Sequence, residues 1–494
     1  MLPPLLCLSP LSITAYELLL VCRRPSRNTA GFYQVHAATH TNYTLPQQEI
    51  LSLVDEHDIQ LHPLITPSLS PLLFYLDVSN EKEISILPNI IRRCILTYGL
   101  FHVICSGPSI EETAVLAKSS ISPSFSDPFN ALWRVGVVEI NHESSSPTSS
   151  CLNLERQTQI IQPFIPYFLD VVGLDSRKLL KQENGCPPAM LLEFFILIVN
   201  YSDASTSGQE KKRFFLSRRI AHGPAVGRGY TYASSPRRPR SGVLKWLADQ
   251  HRTALVTSRT AMEPEIAWVM NNLARVERGK RVLDPFVGGG SLLLVSRLLG
   301  AEYLVGTDAS KDLLGEKSVV RQRILKTFEE FDHILRQNET LSVLSSSHTS
   351  PVVPRLRLID IFTWCQHPWV FQKNHYDAIV TDPPYSIKEI VRGHEEEERN
   401  YEKKREMVKC VVNTLLDMAA HVLYLGSSGR GRLVFFLPVW TNKSCVKELE
   451  KIPHEISKLP EGLRLVFASP QIFSTTFARW LVCVERCNTH EQRD

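Results

Sequence analysis

Apolar and polar positions divide the chain into two parts of different regularity. From about residue 243 onward, short apolar runs alternate with stretches of helical spacing; the runs are Arg281–Leu283, Tyr303–Gly306, Leu356–Ile359, Ala378–Val380 and Leu433–Leu437. This alternation is typical of parallel strands joined by crossover helices, so we predict a doubly wound α/β sheet. Two later runs, Arg464–Ala468 and Arg479–Val484, predict a hairpin that closes one edge of the sheet.

The first 215 residues have strand and helix patterns but no catalytic motif. We predict strands at Tyr16–Cys22, Leu72–Val78 and Trp133–Ile140, and an amphipathic helix at Pro88–Tyr98. We interpret Tyr16–Cys22 as a buried strand rather than part of a signal peptide, because the nearest positive charges follow the apolar run instead of preceding it.

A basic stretch separates these two parts. Residues 216–243 are rich in Gly, Pro, Ser and Arg, and we predict a linker there. Nine cations and no acidic residue occur between Lys211 and Arg240. Such a cluster suits a phosphate backbone, although a solvated basic linker has the same composition. The predicted domains are therefore an N-terminal region 1–215, the linker 216–243 and a catalytic domain 244–494.

Length and composition exclude several classes of protein. With 494 residues, of which 43% are hydrophobic and 21% charged, the chain has the composition of a folded protein of two or three domains. Its 11 cysteines are scattered without a CxxC pair, which argues against a zinc ribbon or a disulfide framework. Because reduced cysteines fit a reducing compartment, we predict a cytoplasmic protein without a metal site. The apolar stretches are too short to predict a membrane span.

Acidic residues follow three of the predicted catalytic strands. Asp284 opens the glycine-rich stretch DPFVGGGS, Asp308 ends the next strand, and Asp360 follows the third. Sheets of this type bind ligands at the carboxyl ends of their strands. An acid after the second strand accepts hydrogen bonds from ribose hydroxyls, and Asp360 is placed to meet an adenine amino group. The alternatives are a tight structural turn for the glycines and helix N-caps for Asp308 and Asp360.

The most specific motif is DPPY at residues 382–385, after the apolar run Ala378–Val380. Two prolines remove backbone donors and stiffen the turn, which leaves the Pro383 carbonyl as a fixed acceptor beside Asp382. Tyr385 supplies a flat face on which a base can stack. Two acceptors and an aromatic face suit the exocyclic amine of guanine, adenine or cytosine. We therefore predict methyl transfer to such an amine, with Asp382, Pro383, Pro384 and Tyr385 as catalytic residues.

Several motifs together resemble one family, the tRNA guanosine N2-methyltransferases that modify guanosine 10. They are Ser258–Met262, DPFVGGG, GTDAS, YDAIVTDPPYSIKE and Arg392-Gly393, within Leu244–Pro438. Upstream, Ile84–Gly107 looks like the helical region of that family's THUMP-type RNA-binding domain, and Arg213–Gly223 looks like the join before its catalytic domain. The resemblance implies a class I, Rossmann-like methyltransferase with a mostly parallel seven-stranded sheet, preceded by an α+β THUMP-like region.

The resemblance also implies a cofactor and its site. The cofactor is S-adenosyl-L-methionine, and the implied cofactor-binding residues are Thr260, Asp284, Pro285, Phe286, Gly288, Gly290, Asp308 and Asp360. Two residues depart from the family pattern: Gly289 replaces a Thr in the glycine-rich loop, and Ser386 replaces the Gly after DPPY.

The partners implied by the resemblance are tRNA and a small zinc-containing activating subunit that pairs with the sheet edge. One feature of the sequence supports the second partner. The apolar residues around the first glycine-rich loop are numerous, and we expect some of them to need an external cover; they are Val282, Leu292, Leu293, Leu294, Val295, Leu298 and Leu299.

Two other functions stay open at this point. One is a DNA amino-methyltransferase acting on adenine N6 or cytosine N4, and the other is a catalytically inactive RNA-binding subunit. The sequence has no helix-turn-helix or Cys/His finger pattern, which favours RNA over DNA. The intact acidic positions and DPPY motif favour an active enzyme.

Overall fold

The structure of the chain, a computed structural model, describes residues 18–22, 36–37, 45–54, 60–63, 73–77, 81–120, 132–141, 154–179, 191–202, 210–221, 223, 262–337, 352–384, 394–426, 429–440, 453–473 and 477–488. The chain divides into two compact units. The first unit comprises residues 1–23, 54–92 and 96–242, and the second unit comprises residues 24–53, 93–95 and 243–494.

The described residues form the following elements. The strands are β1 (Leu18–Cys22), β2 (His36–Ala37), β3 (Gln60–Pro63), β4 (Leu73–Asp77), β5 (Thr97–Gly107), β6 (Leu132–Asn141), β7 (Leu191–Ser202), β8 (Glu210–Ala221), β9 (Arg281–Asp284), β10 (Tyr303–Asp308), β11 (Arg355–Leu358), β12 (Ala378–Thr381), β13 (Leu425–Gly426), β14 (Gly429–Arg430), β15 (Arg432–Trp440), β16 (Leu463–Ile472) and β17 (Phe477–Arg486). The α-helices are α1 (Leu45–Val54), α2 (Glu81–Arg93), α3 (Ile110–Ser119), α4 (Leu154–Ile161), α5 (Pro264–Leu273), α6 (Ser291–Leu298), α7 (Lys311–Leu314), α8 (Val319–Gln337), α9 (His394–Val422) and α10 (His454–Ser457).

The first unit contains a seven-stranded sheet in the order β3-β4-β1-β5-β8-β7-β6. Its described neighbours pair antiparallel except β6 and β7, which are parallel. On one face, Phe194 of β7 and Leu216 of β8 pack with Trp133 and Phe168 in a buried core. The predicted strands at Tyr16–Cys22, Leu72–Val78 and Trp133–Ile140 are confirmed as β1, β4 and β6.

The second unit contains an eight-stranded sheet in the order β11-β10-β9-β12-β15-β17-β16-β2. The first five strands in this order pair parallel with one another; they are β11, β10, β9, β12 and β15. Strand β17 is antiparallel to both β15 and β16, which confirms the predicted closing hairpin. The seven strands β9–β12 and β15–β17 correspond to the predicted sheet, and β2 adds an eighth strand at the edge of β16.

One expectation about the packing of this sheet is wrong. The apolar residues around the first glycine-rich loop do not need an external cover, because the chain buries all of them: Val282, Leu292, Leu293, Leu294, Val295, Leu298 and Leu299 are at most 3% exposed. Most lie on α6, which packs against α5 and the sheet. They therefore give no support to a partner protein.

Two boundaries also differ from the prediction. Helix α2 begins earlier than Pro88 and ends at Arg93, and Thr97 already belongs to β5. Strand β8 continues to Ala221, past the predicted start of the linker at residue 216. Buried Phe214, Phe215 and Leu216 explain the strand, because they fill both faces of a central strand in the first sheet. Residues 224–243 of the predicted linker lie outside the described residues.

A segment distant in sequence completes the second unit. Glu49 of α1 is fully buried, and its Oε1 accepts hydrogen bonds from the Ile95 backbone N–H at 2.9 Å and from Asn272 Nδ2 at 2.7 Å. The Arg93 carbonyl accepts from Trp268 Nε1 and Asn272 Nδ2, each at 2.8 Å. These bonds fix residues 45–53 and 93–95 to α5.

Candidate functional site

Three carboxylates lie at the carboxyl ends of three neighbouring strands. Asp284 ends β9, Asp308 ends β10, and Asp382 directly follows β12. The sheet order β10-β9-β12 and the parallel registers bring these ends to one edge. This is the edge at which open α/β sheets bind their ligands. The residues that the sequence selected from three separate segments therefore converge.

Asp284 is the buried centre of this edge. Its Oδ1 accepts hydrogen bonds from Thr381 Oγ1 at 2.7 Å and from the Phe286 N–H at 3.1 Å. Burial raises the pKa of Asp284 to about 7; the two hydrogen bonds oppose the shift, and the nearby carboxylates of Asp308 and Asp382 add to it. Asp284 therefore titrates near neutral pH and joins β9 to β12.

The loop after Asp284 has the backbone shape that a close ligand approach needs. Gly288 and Gly290 have φ values of +48° and +79°, a region that favours glycine. A Cβ on Gly288 would meet only the Phe286 carbonyl oxygen, at 3.9 Å, so that the loop presents bare backbone at this point. Gly290 is the N-cap of α6 and closes the turn with a 2.7 Å bond from its N–H to the Val287 carbonyl.

Asp308 connects this loop to the next strand. Its Oδ2 accepts from the Gly288 N–H at 3.2 Å, and its Oδ1 accepts from the Ser310 N–H at 2.9 Å. The Val287 N–H donates to the Thr307 carbonyl at 2.9 Å, and Thr307 Oγ1 donates to the Pro285 carbonyl at 3.2 Å. The loop geometry thus depends on β10 as well as on the glycines.

Asp360 lies one strand further along the same edge and is exposed. It caps a 3₁₀-helix, Ile361–Gln366, by accepting from the Phe362 N–H at 3.0 Å. Asp360 therefore acts as a helix N-cap within the chain, as the alternative interpretation of the sequence predicted. The same carboxylate faces solvent and keeps acceptor capacity for an adenine amino group.

The DPPY turn is described as far as Pro384. Asp382 is half-buried, Pro383 is buried and Pro384 is exposed. Tyr385 and Ser386 lie outside the described residues, as do Thr260 and the Arg392-Gly393 pair. The side chain that the sequence analysis missed is Thr381, which donates to Asp284; its place directly before DPPY was the available signal.

The side chains at this edge suit a positively charged ligand better than a phosphate. Asp284, Asp308 and Asp382 are all acidic, and the glycine-rich loop lets a ligand come close to the loop's backbone. S-adenosylmethionine carries a sulfonium and an ammonium group, so these residues suit it.

Among the described residues, no three His, Cys, Asp or Glu side chains are grouped as metal ligands. No described helix is long and apolar enough to cross a membrane.

The strand order and this edge define a class I methyltransferase fold in the second unit. Residues 252–414 match the family UPF0020, described as an RMKL-like methyltransferase domain. The chain is 30% identical over 278 residues to the mouse (Mus musculus) tRNA (guanine(10)-N(2))-methyltransferase TRMT11, a match covering 51% of this chain and 54% of the mouse protein. It therefore spans about half the length of that curated relative.

Two further comparisons extend over more of the chain. The chain is 24% identical over 450 residues to the protein of the same name from Dictyostelium discoideum, covering 87% of this chain and 76% of that protein. A solved structure of TrmN from Thermus thermophilus aligns with 95% of this chain and all of its own, at 14% identity and a TM-score of 0.37. A score this low supports no argument about function.

Proposed function

We propose that this chain is a tRNA methyltransferase that transfers a methyl group from S-adenosylmethionine to the exocyclic N2 amine of a guanosine. Similarity to tRNA (guanine(10)-N(2))-methyltransferases supports guanosine 10 as the target. The observation that carries the proposal is the convergence of Asp284, Asp308 and Asp382 at one edge of the sheet, with DPPY in the turn after β12.

The cofactor is assigned to the glycine-rich loop and the acids beside it. Asp308 would bind the ribose hydroxyls and Asp360 would bind the adenine. The methionine end would lie against the loop from Asp284 to Gly290 and Thr260. The bound cofactor supplies an activated methyl group on a sulfonium. Ionised carboxylates at this edge stabilise that cation.

The catalytic turn is assigned to the target amine. Asp382 and the Pro383 carbonyl accept hydrogen bonds from the two N–H groups of the amine, and Tyr385 stacks on the base. This arrangement would hold the nitrogen towards the methyl group that the bound cofactor would supply, for transfer from sulfur to nitrogen. Asp382 then accepts the proton that the nitrogen releases. Positioning supplies most of the rate, and the base must leave its stack to reach the turn.

We assign RNA binding to the first unit, as a THUMP-like region, together with the basic stretch. Lys211 and Lys212 of β8 are exposed, and lysines at a surface attract phosphates. Arg219 does not contribute, because it is buried and ion-paired with Glu193. Arg228, Arg237, Arg238 and Arg240 complete the basic stretch outside the described residues.

We also propose that a small zinc-containing subunit pairs with the free edge of the second sheet. One edge of that sheet ends in β2, whereas β11 at the other edge pairs only with β10 among the described strands. Exposed Leu358, Phe362 and Trp369 lie on or after β11 and form apolar surface beside that edge. An open edge with apolar neighbours favours a pairing partner.

The proposal includes a cytoplasmic location. Six described cysteines form no disulfide with one another: Cys94, Cys105, Cys365, Cys410, Cys483 and Cys487. Cysteines in the thiol form are typical of a reducing compartment.

The decisive experiment is mass spectrometry of tRNA nucleosides from cells lacking this protein. We expect loss of N2-methylguanosine at one position and its return with the wild-type chain but not with Asp382→Asn. Purified tRNA and duplex DNA should be offered to the enzyme, with and without the zinc subunit. Methylated adenine or cytosine in the DNA would support the DNA alternative, and tRNA binding without methyl transfer would support the inactive subunit.

A further inference from the structure

A row of aromatic rings lies at the carboxyl edge of the second sheet, beyond the catalytic turn. Trp440 ends β15, Phe477 begins β17, and Phe473 follows the last residue of β16. The Trp440 and Phe477 ring centroids are 5.6 Å apart with planes at 38°, and Phe477 and Phe473 stack at 5.5 Å and 27°. We call these three residues the aromatic ladder.

The ladder is fixed in place by its strands. Trp440 and Phe477 are register partners in the β15–β17 pair, and the Phe473 N–H donates to the Phe477 carbonyl at 3.1 Å. Despite this ordered backbone, the Phe473 side chain is 54% exposed, and Trp440 and Phe477 are half-buried. A single exposed apolar side chain is ordinary, whereas a stacked series at a surface needs an explanation.

An arginine contacts the Phe473 ring of the ladder. The Arg479 guanidinium carbon is 3.7 Å from the Phe436 ring centroid and 5.1 Å from that of Phe473. Arg479 Nε donates to Gln471 Oε1 at 2.7 Å, which holds the guanidinium in position. Stacked aromatics with an adjacent arginine are the combination that proteins use to bind unpaired nucleic-acid bases.

The ladder lies at the same edge of the sheet as the catalytic turn. Strands β12 and β15 are parallel neighbours, and Thr381, the residue before Asp382, is the register partner of Phe435. Trp440 comes five residues further along β15, roughly 16 Å at the usual rise of a strand. A nucleotide bound at the turn therefore has neighbours within reach of the ladder.

We propose that the aromatic ladder stacks an unpaired base of the RNA that neighbours the target nucleotide, with Phe473 as the positioning residue. The inference rests on the proposed function. Extruding the target base from its stack removes a stacking partner from the next base. An exposed ring at Phe473 replaces that partner, and stacking of this kind accepts any base because every base has a π face.

The test uses the full chain and compares Phe473→Ala with Phe473→Trp. A fluorescein-labelled single-stranded oligoribonucleotide serves as the binding probe, and unmodified tRNA serves as the methylation substrate. We expect Phe473→Ala to weaken oligoribonucleotide binding roughly tenfold and to raise the KM for tRNA by a similar factor. Its single-turnover rate at saturating tRNA should stay within about twofold of wild type, and Phe473→Trp should restore both quantities.

Met407→Ala is the matched control, because Met407 is an apolar side chain of similar exposure, 48%, on α9. It should leave both quantities unchanged. Thermal unfolding of each variant checks that the fold is retained. Oligoribonucleotide affinity equal to wild type in Phe473→Ala, or failure of Phe473→Trp to restore it, overturns the proposal, as does an effect confined to binding of a protein partner. A wild-type chain that methylates no tRNA defeats the proposed function instead, while the oligoribonucleotide comparison still decides the role of the ladder.

Discussion

Glu193, within a strand of the first sheet, and the acids at the strand ends of the second sheet have different surroundings. In the first unit, Glu193 lies within β7 and is enclosed by Arg134 and Arg219, which both donate hydrogen bonds to it. In the second unit, Asp284 and Asp308 lie at the ends of strands and bind backbone N–H groups of turns. Glu193 is matched by two cations, whereas the strand-end acids lie close to one another.

The pKa values express the same contrast. Burial raises the pKa of Glu193, but the adjacent Arg219 and Arg134 guanidinium groups outweigh burial and leave it below its usual value. Burial raises the pKa of Asp284 to about 7, and neighbouring carboxylates add to the shift. A carboxylate that two arginines surround within the chain contributes to stability, whereas carboxylates gathered at a ligand-binding edge favour a ligand that carries positive charge.

The contrast predicts that replacing Asp382 has the largest effect, and that it lowers activity without lowering stability. Asp382→Ala should lower the single-turnover rate of methyl transfer about 1,000-fold, since it removes a positioned acceptor and base. Cofactor affinity, measured by calorimetry, and the unfolding free energy should stay close to wild type. A variant that keeps most of its single-turnover rate would exclude Asp382 from the catalytic turn.

Glu193→Ala should affect stability instead. Removing this carboxylate leaves two arginines without their shared partner, and we expect a loss of about 3 kcal/mol in the unfolding free energy, measured with urea. The matched control is Glu330→Ala, because the Lys326–Glu330 pair is exposed and separated by 3.6 Å; it should change stability by about 0.5 kcal/mol or less. Equal effects of the two variants would contradict the structural role of Glu193.

Asp308→Ala should weaken cofactor binding by about 2 kcal/mol, or about 30-fold in Kd, because a charged acceptor for the ribose is lost. Part of the effect comes from the loop, since Asp308 also accepts from the Gly288 N–H. Asp308→Asn keeps one acceptor oxygen and should lie between wild type and Ala. Calorimetric affinities that do not differ among the three proteins would remove Asp308 from the cofactor site.

The smallest predicted effect is a pH dependence from Asp284. Its folded-state pKa is raised from 3.8 to about 7, so its contribution to stability is complete below pH 3.8 and is lost as the pH rises to about 7. Binding of a cationic cofactor has the opposite sign, because it favours the ionised carboxylate. We expect affinity to increase with pH up to about 7 and then level off, by about tenfold or less over the whole range. Asp284→Asn should flatten this profile; an unchanged profile would assign the titration to another group.

The second sheet could be predicted from sequence because its signals are local. Strands β9, β10 and β12 are short apolar runs buried on both faces, and the acid that ends or follows each of them marks the carboxyl edge. The convergence of Asp284, Asp308 and Asp382 followed from that rule. The Asp284–Thr381 bond joins residues 97 positions apart; the adjacent DPPY motif draws attention to Thr381, but no local pattern pairs it with Asp284.

The ends of α2 and β8 were harder to predict because contacts distant in sequence decide them. Cys94, Ile95 and Leu96 are apolar and continue the helical spacing of α2, yet the helix ends at Arg93. The Ile95 N–H donates to Glu49 instead of to the helix. The basic residues of β8 likewise resembled a linker, because the partner of Arg219 lies on another strand.

The bond between Glu49 and Asn272 has a consequence for synthesis of the chain. The two residues are 223 positions apart, and at about 5–20 residues per second Asn272 is made roughly 10–45 s after Glu49. During that interval the Glu49 carboxylate lacks its Asn272 partner, and α1 lacks α5. Co-translational chaperones that shield α1 would therefore influence the yield of the second unit, although its methyltransferase motifs are encoded more than 200 codons downstream.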